Sequence, residues 1–379
     1  MSLQSVPENG MFRNMWNEEK SGTARLSGEL PSEAQLLKSL YTSIRQHLPN
    51  SWTVDLAIEV GRGARRLDGV LSICAPDGNS TSMTIEAKRN LAAMDVPKVI
   101  AQLRHIASPD DRLFVIAPFI GSRARELLAE AEVGYWDATG NLRIQLDNPV
   151  LYIETKGATA NPWTESRQLH SLKGHAAGRA VRALCDFPTP YGIRELAERS
   201  ATPIGSIARV VTLLESEALL VRGPLGQIKH VDVSRVIGRW TQDYGLTRSN
   251  RVQTFLESRG LDALLDKLRQ SATLYAVTGS LASALVAPIA PPRLAIVYVN
   301  DIELTAQQFG VRVAERGANV LLAEPFDSVV FDRTMKRDGV TYAALPQVAA
   351  DLLTGPGRGP QEGEELLQWM EGNEYAWRK

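Results

Sequence analysis

Cysteine is scarce in this chain of 379 residues: only Cys74 and Cys185 occur, each inside an apolar stretch. Two such thiols cannot form a disulfide framework, so they are expected as buried thiols in a reducing cytoplasm. Long hydrophobic runs are also lacking. The apolar stretches are strand-sized, which excludes a spanning helix and any membrane partner. A net excess of charge is missing too, with 42 Lys and Arg against 43 Asp and Glu. Any affinity for a polyanion must therefore come from a local basic face. The first residues, "MSLQSVPENGMFRNMWNEEK", lack the basic-then-apolar order of a signal peptide, and residues 1–30 read as a polar tail. The chain is expected in the cytoplasm. Only five histidines occur; His105, His170, His175 and His230 show no metal-ligand spacing. No short-period repeat or low-complexity tract is present.

The length exceeds one ordinary core, so two or three domains are expected, of α/β multidomain class. Residues 31–160 carry the first. "SEAQLLKSLYTSIRQHL" begins with a capping Ser32 and repeats Leu36, Leu37, Leu40, Ile44 and Leu48 at helical spacing. Strand patterns follow at "WTVDLAIEV", "LDGVLSICA" and "TSMTIEA", then a helix at "VPKVIAQLRHIA" and a strand at "RLFVIAP". A helix at "SRARELLAEAEV" and a terminal strand around "NLRIQL" complete an α-β-β-β-α-β-α-β order. "GYWDATGNLRI" reads as a loop in which Asp137, Gly140 and Asn141 shape a turn. "KGATANPWTES" reads as a linker.

Within this unit Asp68 opens one strand, and Glu86 and Lys88 lie two apart near the end of a later one, hence on the same face. If the strands pair, the three side chains converge. Asp68 and Glu86 are hard-oxygen ligands suited to Mg²⁺, and Lys88 could orient a water or stabilise charge on a phosphate. Arg62, Arg65, Arg66 and Arg89 could add phosphate contacts. Read alone, Glu-x-Lys also fits a surface ion pair of Glu86 with Lys88 or Arg89. The residues and the element order resemble the PD-(D/E)XK nuclease superfamily, with Leu67 where the motif has proline. That resemblance implies a Mg²⁺-dependent phosphodiesterase core with Asp68, Glu86 and Lys88 catalytic and Asp68 and Glu86 on the metal. It places Glu33 and Gln102 at supporting positions.

The second region spans 170–240. "HAAGRAVRALCDF", "YGIRELAERS" and "TPIGSIARVVTLLESEAL" read as three helices, the last capped by Thr202 with Pro203 as its first residue. "LLVRGPLGQIKHVD" reads as strand-turn-strand. Ile207, Val210, Val211 and Leu214 should face the core, leaving Gly205, Ser206, Arg209 and Thr212 outward to meet a major groove. Arg222 and Lys229 on the hairpin are candidates for backbone phosphate. From Ser171 to Trp240, ten Lys or Arg stand against six Asp or Glu, a balance of about +4 in a near-neutral chain. "IRELAERSATPIGSIARVVTLLESEALLVR" resembles the winged helix-turn-helix of bacterial transcription regulators, which implies binding to double-stranded DNA, with a homodimer expected on paired half-sites. The alternative is a helix pair and hairpin used for protein contacts.

Residues 250–379 read as a third, α/β domain, starting with a helix over "RVQTFLESRGLDALLDKLRQ". Gly279-Ser280 at a helix start and Asp301 with Glu303 after a strand resemble the minimal nucleotidyltransferase pattern, though at a longer interval than that pattern has. "GPGRGP" reads as a connector. The stretch from residue 170 onward resembles AbiEi-family antitoxins, which implies a transcriptional regulator binding operator DNA, with a cognate toxin as partner. The alternative function is a Mg²⁺-dependent DNA nuclease targeted by the winged helix, in defence or DNA processing.

Overall fold

The computed structural model describes residues 30–62, 65–163 and 171–379; the expected tail over 1–29 and the side chains of Arg62, Arg65 and Arg66 lie outside what it describes. The chain divides into two compact units, residues 1–166 and 167–379. Among the described residues no helix is long and apolar enough to cross a membrane.

The first unit opens with α1 (Glu33–His47). Ser32 caps it reciprocally: its hydroxyl accepts from the Gln35 N–H at 3.3 Å while the Gln35 side chain accepts from the Ser32 N–H at 2.8 Å. The strands are β1 (Thr53–Arg62), β2 (Arg65–Cys74), β3 (Ser80–Ala87), β4 (Arg112–Ala117), β5 (Gly134–Asp137), β6 (Leu142–Asp147) and β7 (Val150–Thr155). They form one sheet in sequence order. Helix α2 (Val96–Ile106) links β3 to β4 and α3 (Ser122–Glu130) links β4 to β5. The β3-β4 and β4-β5 pairs are parallel, because a helix must carry the chain back between them; the other neighbours are antiparallel. Leu36, Leu37, Leu40 and Ile44 of α1 pack on Leu71, Met83, Ile85, Phe114 and Ile116, which defines the α1 face of the sheet.

The element order runs as expected through β4. Beyond it, the expected loop "GYWD" is the strand β5, and a further strand, β7, follows β6. Tyr135 and Trp136 are buried there, which favours an extended path against β4. The expected turn is present within this meander. Asp137 is fully buried and accepts from the Ile120, Thr139 and Asn141 N–H groups, the Thr139 hydroxyl and the Asn141 amide.

The second unit begins with α4 (His175–Asp186), α5 (Ile193–Arg199), α6 (Ile204–Ser216), β8 (Leu220–Arg222), β9 (Ile228–Val231) and α7 (Val233–Thr241). Pro203, not Thr202, is the cap residue of α6; the buried Thr202 hydroxyl donates to the Ser200 carbonyl instead. After α8 (Leu246–Ser249) come β10 (Arg251–Leu256), α9 (Leu261–Gln270), β11 (Tyr275–Thr278), α10 (Ser280–Ser283), β12 (Ala295–Val299), α11 (Ile302–Phe309), β13 (Arg312–Val313), β14 (Val320–Glu324), β15 (Met335–Arg337), β16 (Val340–Tyr342), α12 (Leu345–Leu353), α13 (Gly359–Gly372) and α14 (Glu374–Trp377). The sheet order is β13-β10-β14-β12-β11-β16-β15.

The helix expected from Arg251 is instead a strand followed by a helix. Residues 251–256 pair antiparallel with β14, and Gly260, at φ 86°, makes the break before α9. The helices of 175–241 and this second sheet share one hydrophobic core. Trp240 stacks on Tyr244 at 4.5 Å, and Phe326 leans on both. The fully buried Arg182 of α4 donates to the Val329 and Asp332 carbonyls, to Gln347 and to Asp186.

Candidate metal centre and nucleic-acid interface

Strands β2 and β3 pair with Gly69 opposite Ile85 and Leu71 opposite Met83. A Cβ on Gly69 would meet Leu37 of α1 at 3.1 Å, so that residue faces α1. Asp68 and Glu86 are each one residue on from this pair and so turn to the opposite face, beside one another. The Ala87 N–H donates to Asp68 Oδ2 at 2.7 Å, fixing the carboxylate against β3. Lys88 Nζ donates to Glu86 Oε1 at 2.5 Å. The Lys88 N–H continues the ladder onto the Ile116 carbonyl at 2.8 Å, so Glu86 and Lys88 stand on backbone held by the central β4. The Glu86 side chain is 16% exposed and that of Lys88 29%. All three are therefore rooted in the sheet yet reachable from solvent.

The structure thus brings Asp68, Glu86 and Lys88 together. Among the described residues Asp68 Oδ1 and Glu86 Oε2 accept no hydrogen bond. Two hard-oxygen donors on adjacent, rigid strands fit a small divalent cation such as Mg²⁺. Glu33 and Gln102 are exposed on α1 and α2, as is Arg89. Glu33 opens the helix that covers the opposite face of the sheet from Asp68 and Glu86.

In the second unit, Ile207, Val210, Val211 and Leu214 of α6 are buried, and Gly205, Arg209 and Thr212 are exposed with Ser206 half-buried. Arg209 lies along its own helix, donating to the Gly205 carbonyl at 3.2 Å and to Ser206 Oγ at 3.4 Å. The cations behind the local positive balance fall into paired and unpaired groups. Arg179, Arg182, Arg199, Arg222, Arg235 and Arg239 are each paired with a carboxylate. Arg222 is held by Glu215 of α6, and this contact raises its pKa further. Lys173, Arg194, Arg209 and Lys229 are exposed, without an acidic partner among the described residues. These are the cations ready to meet a phosphate. Arg194 went unremarked in the sequence, where nothing separated it from paired arginines.

The C-terminal motif does not converge. In the antiparallel β11-β12 pair, Thr278 is opposite Ile296 and Tyr275 opposite Val299. Gly279-Ser280 therefore leave one end of the pair and Asp301 the other, about 20 Å apart along the strand. Ser280 donates to Glu362. Asp301 caps α11 by accepting from the Leu304 N–H at 2.7 Å. Asp301, Glu303 and Glu324 do lie close enough to share an ion. Arg251, however, already lies between Glu303 and Glu324, and its contact holds the Glu303 carboxyl below the usual range.

No protein-family model matches the chain, and no curated protein matches it. The AbiEi resemblance therefore rests on the quoted residues alone. Solved structures similar to part of the chain include a repair endonuclease from Pyrococcus abyssi, at 18% identity and a TM-score of 0.20. EndoMS in its apo form is another, at 16% identity and a TM-score of 0.19. The similarity covers 29% of this chain in both cases, and 48% and 47% of those structures, about half their length. The reading of the site rests on the geometry above.

Proposed function

We propose that this protein is a divalent-metal-dependent DNA nuclease of the PD-(D/E)XK type whose second unit holds duplex DNA through α6 and the β8-β9 hairpin. The observation that carries the reading is the convergence of Asp68, Glu86 and Lys88 on one face of β2 and β3. Asp68 Oδ1 and Glu86 Oε2 are the atoms that would hold the ion. When bound, Mg²⁺ there supplies Lewis-acid polarisation and charge neutralisation at a phosphodiester. Lys88 is the mobile partner: its ammonium, released from Glu86, sits beside the phosphate as negative charge builds on it. Asp68 is kept from rotating by the Ala87 N–H, which preserves the spacing of the two carboxylates. Hydrolysis forms one bond from water oxygen to phosphorus and breaks one to a sugar oxygen, which takes up the proton.

The test is cleavage of supercoiled plasmid with Mg²⁺ or Mn²⁺. The native protein should nick or linearise it, and Glu86→Ala and Lys88→Ala should each lose about a hundredfold or more in rate. Equal cleavage by both variants would remove the site assignment. If the native protein holds DNA tightly but cuts none with any divalent metal, a second reading replaces the first. That reading is a transcriptional regulator of the AbiEi antitoxin type, dimeric on its operator and partnered by a toxin. The Ser206, Arg209 and Thr212 face of α6, with the exposed Lys229 on β9, supports DNA binding under both readings.

A further inference from the structure

The turn joining β8 to β9 holds a leucine out in water. The Gly223 N–H donates to the Gln227 carbonyl at 2.8 Å and the Gly226 N–H to the Gly223 carbonyl at 2.9 Å. Pro224, Leu225 and Gly226 therefore make a tight hairpin loop that ends on a left-handed glycine, at φ 80°. Pro224 suits the first corner, whose φ its ring presets, and Gly226 suits the left-handed position. Turn chemistry asks for no apolar side chain at the corner between them, yet Leu225 stands there 93% exposed. The hairpin beneath is firmly anchored. Ile228 is fully buried and exchanges both backbone hydrogen bonds with Tyr191, at 2.9 and 3.3 Å, and Arg222 is tied to Glu215 of α6.

Cations stand at the base of this tip. A Cβ on Gly223 would come within 2.5 Å of Lys229 Cε, so the lysine stem lies across the start of the turn. Its ammonium has no acidic partner among the described residues, and Arg194, likewise exposed and unpaired, opens α5 just beyond Tyr191. One leucine among Pro, Gly and unpaired cations offers too little apolar area, and too much charge, for the core of a protein interface. A DNA groove has the complementary chemistry, with phosphates along its walls and apolar base faces between its steps.

From this juxtaposition we infer that the hairpin tip enters the minor groove and that Leu225 inserts between two adjacent base pairs as a wedge, kinking the duplex. The Lys229 ammonium donates to a phosphate on the groove wall and holds the tip in place. The inference rests on the DNA-binding reading above and adds to it a deformation of the bound DNA. Pyrimidine-purine steps, TA above all, unstack most readily, so a duplex with such a step under the tip is the preferred substrate.

The test uses the full-length protein, with EDTA present to withhold metal, and a TA-rich duplex of about 25 bp, stiff on its own at that length. Donor and acceptor dyes at its two ends report bending as a rise in energy transfer. The native protein should bind and raise the transfer. Leu225→Ser should lose that rise while keeping the salt slope of binding, because the phosphate contacts remain. Leu225→Phe, another apolar wedge, should restore it. Lys229→Ala should lower the slope of log affinity against log salt by about one. Binding by the native protein without a rise, or an equal rise with Leu225→Ser, overturns the wedge and leaves DNA binding standing. No binding by the native protein overturns the DNA-binding reading, and the wedge with it.

Discussion

Single carboxylates in this chain do opposite work according to what surrounds them. Asp327 and Asp243 are each pushed up by burial. The push is outweighed for Asp327 by Arg179, the Val329 N–H and His175, and for Asp243 by the Leu172 N–H, Ser171 and Arg239. Both end below the ordinary carboxylate range. They bind fewer protons folded than unfolded, so their stabilisation is full above the unfolded pKa of about 4 and is lost as pH falls through the lower folded value. Chemical denaturation midpoints should therefore drop on acidification below about pH 4, and Asp327→Asn should flatten that drop. Asp351 is the reverse case: burial raises it, despite donors from Tyr244, Thr278, Gln347 and Tyr298. Asp137 is the most heavily bonded, and Asp137→Ala strands several buried donors at once. A loss of about 3 kcal/mol or more in the unfolding free energy of the first unit is expected, measured by urea titration.

At the scale of elements, local chemistry sets some boundaries and pairing sets others. Ser32→Ala should destabilise α1 by about 1 kcal/mol in the same titration, since the reciprocal cap is complete. Gly134 in β5 lies against Phe114, where an added Cβ would come within 2.4 Å of the ring. Gly134→Ala should cost about 1–3 kcal/mol by overpacking. Arg209→Ala on α6 should weaken DNA binding and lower the slope of log affinity against log salt by about one.

What could be read beforehand follows the same division. The α1 stripe, strands β1 to β4 and the buried face of α6 repeat apolar residues at one clear period, so sequence identified them. Residues 251–256 did not, because Val252, Phe255 and Leu256 satisfy helical spacing as well as a strand does, and only pairing with β14 decides. Asp68, Glu86 and Lys88 were legible because a strand's period of two projects neighbours onto one face. The pairing of Arg222 with Glu215, and of Arg179 with Asp327, is made by tertiary folding and leaves no local pattern.

For the whole molecule, the proposed function divides its labour between the two compact units. Residues 1–166 and 167–379, expressed separately, should each fold, as judged by circular dichroism and a cooperative melt. The second fragment should retain duplex binding in a mobility-shift assay. The first should retain metal-dependent cleavage at much higher protein concentration, because local concentration at the DNA is lost. If neither fragment folds, the division into units is not one of stability.

The turn at Asp137 has a mechanical side. Its neighbour Asn141 also accepts from the Gly157 N–H and donates to the Ala158 carbonyl, and Thr139 accepts from the Ala158 N–H. The chain leaving β7 is thereby tied back onto the β5-β6 corner. Tension on the chain beyond residue 158 loads this knot of hydrogen bonds before it reaches the edge strand.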